Sequence, residues 1–153
     1  TAIVHAMPGQ LQDAWLRRFG AKLGLAAPTA DHQPLIEELL AMMQAQGADF
    51  TNAFAALGTD TARDQFTDRT LFEAWAQRWQ AEEPDTDLMA RTNPQIIPRN
   101  HRIEAMIEAA VAGDMDPFQR LTTALSTPFQ ATDTDLHRPP STSEIVPATF
   151  CGT

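Results

Sequence analysis

The sequence predicts an all-α protein. Apolar residues recur at helical spacing in segment after segment, glycines stand where those segments stop, and no stretch sustains the alternation of a strand. At 153 residues and 43% hydrophobic content, the chain is long and apolar enough to build a real core.

In "LQDAWLRRFGAKLGL", Leu11, Trp15, Phe19 and Leu23 form one stripe. Gly24 followed by Leu25 has the form of a C-terminal cap, the glycine left-handed and the leucine folded back. The next helix starts after Asp31 with Pro34 in its first turn; Leu35, Leu39 and Met42 or Met43 face inward, and Gly47 stops it. Asp49 is placed to N-cap "ADFTNAFAALG", which stops at Gly58. In "FTDRTLFEAWAQRWQAEE", Leu71, Phe72, Trp75 and Trp79 line one side, and the tryptophan pair reads as core rather than as a base-stacking platform. A short turn, "DTDLMAR", follows. The helix from Asn100 to Ala112 turns Ile103, Met106, Ile107 and Ala110 inward and is capped by Gly113. Asp114 then caps "MDPFQRLTTAL", where Phe118, Leu121 and Leu125 repeat. Residues 1–125 are therefore read as a helical region. From Ser126 the composition shifts to Thr, Pro, Ser and Asp, so residues 126–153 are read as an extended tail on a surface or partly disordered.

Twenty acids against eleven bases, a net charge of -9, argue against a nucleic-acid partner, which calls for a basic face. No apolar run reaches membrane-spanning length, and the first residues lack the order of a signal peptide. Thr1 does not read as a natural start. A single cysteine, Cys151, leaves no internal disulfide framework or thiolate cluster and fits a reducing, cytoplasmic setting. The glycines form no phosphate-cradling loop, and Lys22, the sole lysine, sits in a helical stripe. His5, His32, His101 and His137 lie far apart without a metal-ligand partner at helical spacing and read as surface or loop residues. Glu37–Glu38 and Glu82–Glu83 read as solvated faces. Asp133 and Asp135 resemble half a calcium loop but lack its glycine and closing glutamate.

One stretch stands apart. From Leu88 to Ile103 there is no acid, two prolines hold "NPQIIPRN" extended, and Arg99, His101 and Arg102 crowd the N-terminal end of the following helix. The helix dipole disfavours cations there. Two compatible readings remain: a rigid connector whose Asn93 and Asn100 side chains satisfy backbone donors, or a segment whose Arg91, Arg99 and Arg102 engage carboxylates or phosphates supplied from elsewhere.

The order of "AKLGL", "LIEELLAMMQAQGADFTNAFAAL", "MARTNPQIIPRNHRIEAMIEAAVAGD", "LSTPF", "RPP" and a cysteine three from the end resembles the C-terminal part of the selenoprotein O family. The resemblance implies the last third of a protein with a protein-kinase-like fold that binds ATP with Mg2+. It also implies adenylyltransferase (AMPylation) activity toward hydroxyl side chains of protein substrates. The ATP-handling and metal-binding residues would then lie in the missing N-terminal kinase-like region, and this chain alone would hold no catalytic residue. Cys151 would correspond to the C-terminal redox cysteine, which in bacterial relatives can pair with a cysteine of the activation-loop region. Arg91, Arg99 and Arg102 would make interdomain contacts to acidic groups of that region. Two alternatives remain: a freestanding all-α interaction module binding an acidic partner, and a helical scaffold for redox sensing through Cys151.

Overall fold

The computed structural model describes residues 2–130 and 132–147, with side chains from residue 7 onward. Among them every regular element is helical, and the chain divides into two compact units, Thr1–Asn93 and Pro94–Thr153.

The first unit opens with α1 (Ala2–Lys22), which begins well before Leu11. Leu11 is 65% exposed, because packing on the core starts only at Trp15, Leu16 and Phe19. The helix ends as its sequence predicts. Gly24 takes φ +76°, its N–H donates to the Ala21 carbonyl at 3.1 Å, and Leu25 N–H reaches back to the Gly20 carbonyl at 2.8 Å. A Cβ on Gly24 would lie 2.9 Å from both the backbone N and O of Asp85, so glycine is required there for space as well as handedness.

A short 3₁₀ turn leads into α2 (Gln33–Gln46), with Pro34 in its first turn and Gly47 at φ +65° as its stop. In α3 (Phe50–Ala56) the Asp49 carboxylate accepts from Asn52 N–H at 2.9 Å, the predicted N-cap. Gly58 is absent from the left-handed glycines; the helix has already ended at Leu57. Helix α4 (Arg69–Gln80) buries Phe72, Trp75, Ala76 and Trp79, whereas Leu71 is 53% exposed. The stacked indoles of Trp75 and Trp79 stand 5.6 Å apart and act as hooks. Trp75 Nε1–H donates to the Leu35 carbonyl at 2.9 Å, and Trp79 Nε1–H to the Leu23 carbonyl at 2.8 Å, one of the acceptors left open where α1 ends. The segment expected as a turn forms a two-turn helix, α5 (Thr86–Thr92), because the Asp85 carboxylate caps Leu88 N–H at 2.9 Å and Met89 is buried in the core.

The second unit begins with the proline-bearing connector. Gln95 and Ile96 N–H both donate to the Pro128 carbonyl, at 2.7 and 3.1 Å, which sets the connector beside the chain leaving the last helix. Helices α6 (Asn100–Val111) and α7 (Asp116–Ser126) pack together, with Gly113 at φ +92° between them. The N-cap of α7 is Met115 rather than the predicted Asp114, whose carboxylate, one residue earlier, accepts from Asp116 N–H at 3.0 Å. The core here is small: Ile96, Leu121, Ala124 and Leu136, with Ile103, Met106 and Leu125 against it. Ile107, expected inward, is 47% exposed.

The tail makes 3₁₀ turns at Thr134–His137 and Thr142–Glu144. Since Leu136 shares a core with Ile96 and Leu121, the division of the chain falls at Asn93/Pro94 rather than between residues 125 and 126.

Candidate functional site

The arginine-bearing connector is the feature the sequence singles out, and its residues have different surroundings. Asn93, at the end of α5, is 2% exposed. Its Nδ2–H donates to the Lys22 carbonyl at 2.8 Å while Lys22 Nζ donates to its Oδ1 at 3.3 Å. Asn93 thus satisfies an acceptor at the end of α1, not the backbone donor expected of it. Lys22 Nζ also lies 5.6 and 5.3 Å from the Phe50 and Phe54 ring centres, and burial lowers its pKa.

Arg91 projects from α5 with most of its side chain in solvent, 3.9 Å from Asp85. Arg99 occupies the N-cap of α6 in extended backbone and is buried. Arg102 has a carboxylate within its own unit: Nη2 donates to both the carbonyl and the Oδ1 of Asp135, each at 2.7 Å. An acid for the positive end of α6 is thus supplied by the tail, 33 residues on.

Asp135 belongs to a wider network. Arg120 of α7 grips Asp133 through Nε (2.6 Å) and Nη2 (2.7 Å) and reaches Asp135 at 3.3 Å. Arg138 makes a two-pronged pair with Glu144, both contacts at 2.6 Å, and Glu144 also accepts from the backbone N–H and hydroxyl of Ser141. Hydrogen bonds from Arg120, Arg102 and Arg138 respectively hold the Asp133, Asp135 and Glu144 carboxyls below their ordinary range.

The "DTD" run is therefore an arginine receptor rather than a half-formed calcium loop. Sequence reading missed it because the partners lie on another element. The Ser141–Glu144 turn was legible in principle: Ser-x-x-Glu is the signature of a capping box. The expectation of a surface or loop setting fails at His101, which is 7% exposed on the first turn of α6, with neither ring nitrogen partnered among the described residues. Burial first, then the charge of Arg102, lowers its pKa.

Among the described residues no three His, Cys, Asp or Glu side chains gather to hold a metal, and no helix is long and apolar enough to cross a membrane. Cys151 lies outside the described residues.

Comparison with known proteins gives this arrangement a context. The family described as Protein adenylyltransferase SelO matches residues 4–126, ending with α7. The Protein nucleotidyltransferase YdiU of Roseobacter denitrificans is 54% identical over 157 residues, covering 100% of this chain and 33% of its own length. Its namesake in Ruegeria pomeroyi is also 54% identical, over 100% of this chain and 34% of its own. That of Mycolicibacterium smegmatis is 39% identical over 100% and 32%. The chain spans about a third of the length of these curated relatives. With the match covering residues 4–126 of the 153, the chain belongs to the Protein adenylyltransferase SelO family.

Proposed function

We propose that this chain is the C-terminal helical part of a protein adenylyltransferase with a kinase-like fold, and that the whole protein transfers AMP from ATP to hydroxyl side chains of other proteins. In such a transfer the hydroxyl oxygen bonds to the α-phosphorus, the α–β anhydride bond breaks and pyrophosphate leaves. The observation that carries this reading is 54% identity along the entire chain to proteins named as protein nucleotidyltransferases.

ATP and Mg2+ are assigned to the remaining length, since the sole lysine here lies over Phe50 and Phe54 and the carboxylates of the tail face arginines. The role of this chain is to buttress the catalytic region. Exposed apolar side chains support that role: Ile107 and Val111 on α6, then Met115 and Phe118 at the start of α7, all face outward. Arg91, the most exposed of the three connector arginines, is the one best placed to meet an acidic group of that region. Arg99 and Arg102 shape the connector from within the second unit. Cys151 keeps the redox role that its family position implies, its partner lying in the remaining protein. A bacterial cytoplasmic location goes with this reading.

The test begins with the intact mass of the native cellular product that contains this sequence. A mass about three times that of the 153 residues is expected from the relatives' lengths. That protein, given Mg2+ and ATP labelled at the α-phosphate, should label protein acceptors, and ATP labelled at the γ-phosphate should not. A native product of 153 residues, or no α-label in the full-length protein, overturns the enzyme reading. A free-standing module binding an acidic partner would then take its place.

A further inference from the structure

Beside the head of α6 lies a cleft of about 350 Å³ whose apolar walls are Ile97, Pro98, Pro140, Ile145 and Val146, and His101 lines it. The segment from Arg138 to Val146 forms the facing side of this cleft through Pro140, Glu144, Ile145 and Val146, and its Thr142–Glu144 turn is closed on itself by the Arg138–Glu144 pair. His101 is buried with no acceptor on either ring nitrogen among the described residues. The charged groups around it are Arg99 from the connector, Arg102 from α6, and Arg138 and Glu144 from the folded-over segment.

A neutral imidazole is tolerated there. An imidazolium is not: it would be a buried charge without hydrogen-bond acceptors, facing more positive than negative groups. It can reach water when the covering segment lifts. We propose that residues 138–146 form a proton-released latch over the head of α6, with His101 as its trigger. Closed at neutral pH, the latch opens as His101 takes up a proton, exposing His101 and the half-buried Ile97 on the helix side of the cleft.

The sign follows from linkage. Because the closed form disfavours the proton, the open form binds more of it below the ordinary histidine pKa, ~6.5, so acid favours opening. One proton per opening means that the opening constant rises up to about tenfold per pH unit between that value and the closed-form pKa.

The experiment compares amide hydrogen exchange of residues 138–147 in the full chain and in His101→Phe between pH 7 and 4.5. Taking the ratio of the two proteins at each pH cancels the intrinsic pH dependence of exchange. The expected ratio, wild type over variant, climbs up to about tenfold per unit below ~6.5. A ratio flat across the range overturns the latch. Should His101→Phe fail to fold, the ring resonances of His101 in the wild-type chain decide. A ring that titrates below ~6.5 together with the rise in strap exchange supports the proposal, and a ring that titrates while exchange stays constant overturns it.

Discussion

At Gly24 the backbone must turn left-handed and make room for a neighbour at once. Gly24→Ala adds strain at φ +76° and drives a methyl against the backbone of Asp85. The expected loss is on the order of 2 kcal/mol, read as a lower urea midpoint with unchanged slope. Trp79→Phe keeps most of the buried ring but leaves the Leu23 carbonyl without its indole donor, an expected cost of about 1–2 kcal/mol in the same assay. These two residues differ in how much the sequence shows. The handedness of Gly24 is legible in "KLGL", because a helix cap is a local arrangement. The hydrogen bonds of Asn93 are not, since the partner lies 71 residues away and nothing in "RTNP" points to it. The burial of His101 is equally hidden in sequence, since the cleft it lines is shared with residues from the far end of the chain.

Among the elements, α5 reads as a turn in sequence because seven residues are too few to display a period. Its cap was nonetheless visible, as an aspartate opening the segment. Asp85→Ala should lower stability by about 1 kcal/mol and raise amide exchange through Thr86–Thr92. Periodicity located the other helices well but overstated the width of their buried faces. Leu71 lies next to the buried Phe72 and Ile107 next to the half-buried Met106, and only the neighbouring helices decide how far around the cylinder contact extends.

The folded-back tail is an element of a different kind, anchored by Leu136 and by arginine–carboxylate pairs at the surface. Asp133, Asp135 and Glu144 have carboxyls held low in the fold, so the stability they contribute is present above ~4 and lost as pH falls through their folded values. Exchange at Leu136, Arg138 and Glu144 N–H should therefore accelerate again below that pH, and Asp135→Asn should raise exchange across the whole range while making this step smaller.

On the scale of the whole molecule, the two units are unequally built. The first has a continuous core running from Leu23 through Trp79 to Met89; the second relies on Ile96, Leu121, Ala124 and Leu136. Small cores leave little margin over chain entropy. In native-state exchange under mild urea, α6 and α7 should open before α2 and α4, and a single common opening free energy for all four would contradict the two-unit description. The boundary at Asn93/Pro94 was half legible: the prolines announced a break, but composition placed the break at Ser126, because a Thr- and Pro-rich segment can still fold back onto a core through one leucine.

The placement of the indoles has a practical consequence. Trp15, Trp75 and Trp79 all belong to the first unit, and the chain contains no tyrosine. Intrinsic emission excited at the red edge therefore comes from one half of the molecule. An optical melt would follow the first unit faithfully while the second came apart unseen, and a lone tryptophan installed at solvent-facing Phe118 would give that silent half a voice.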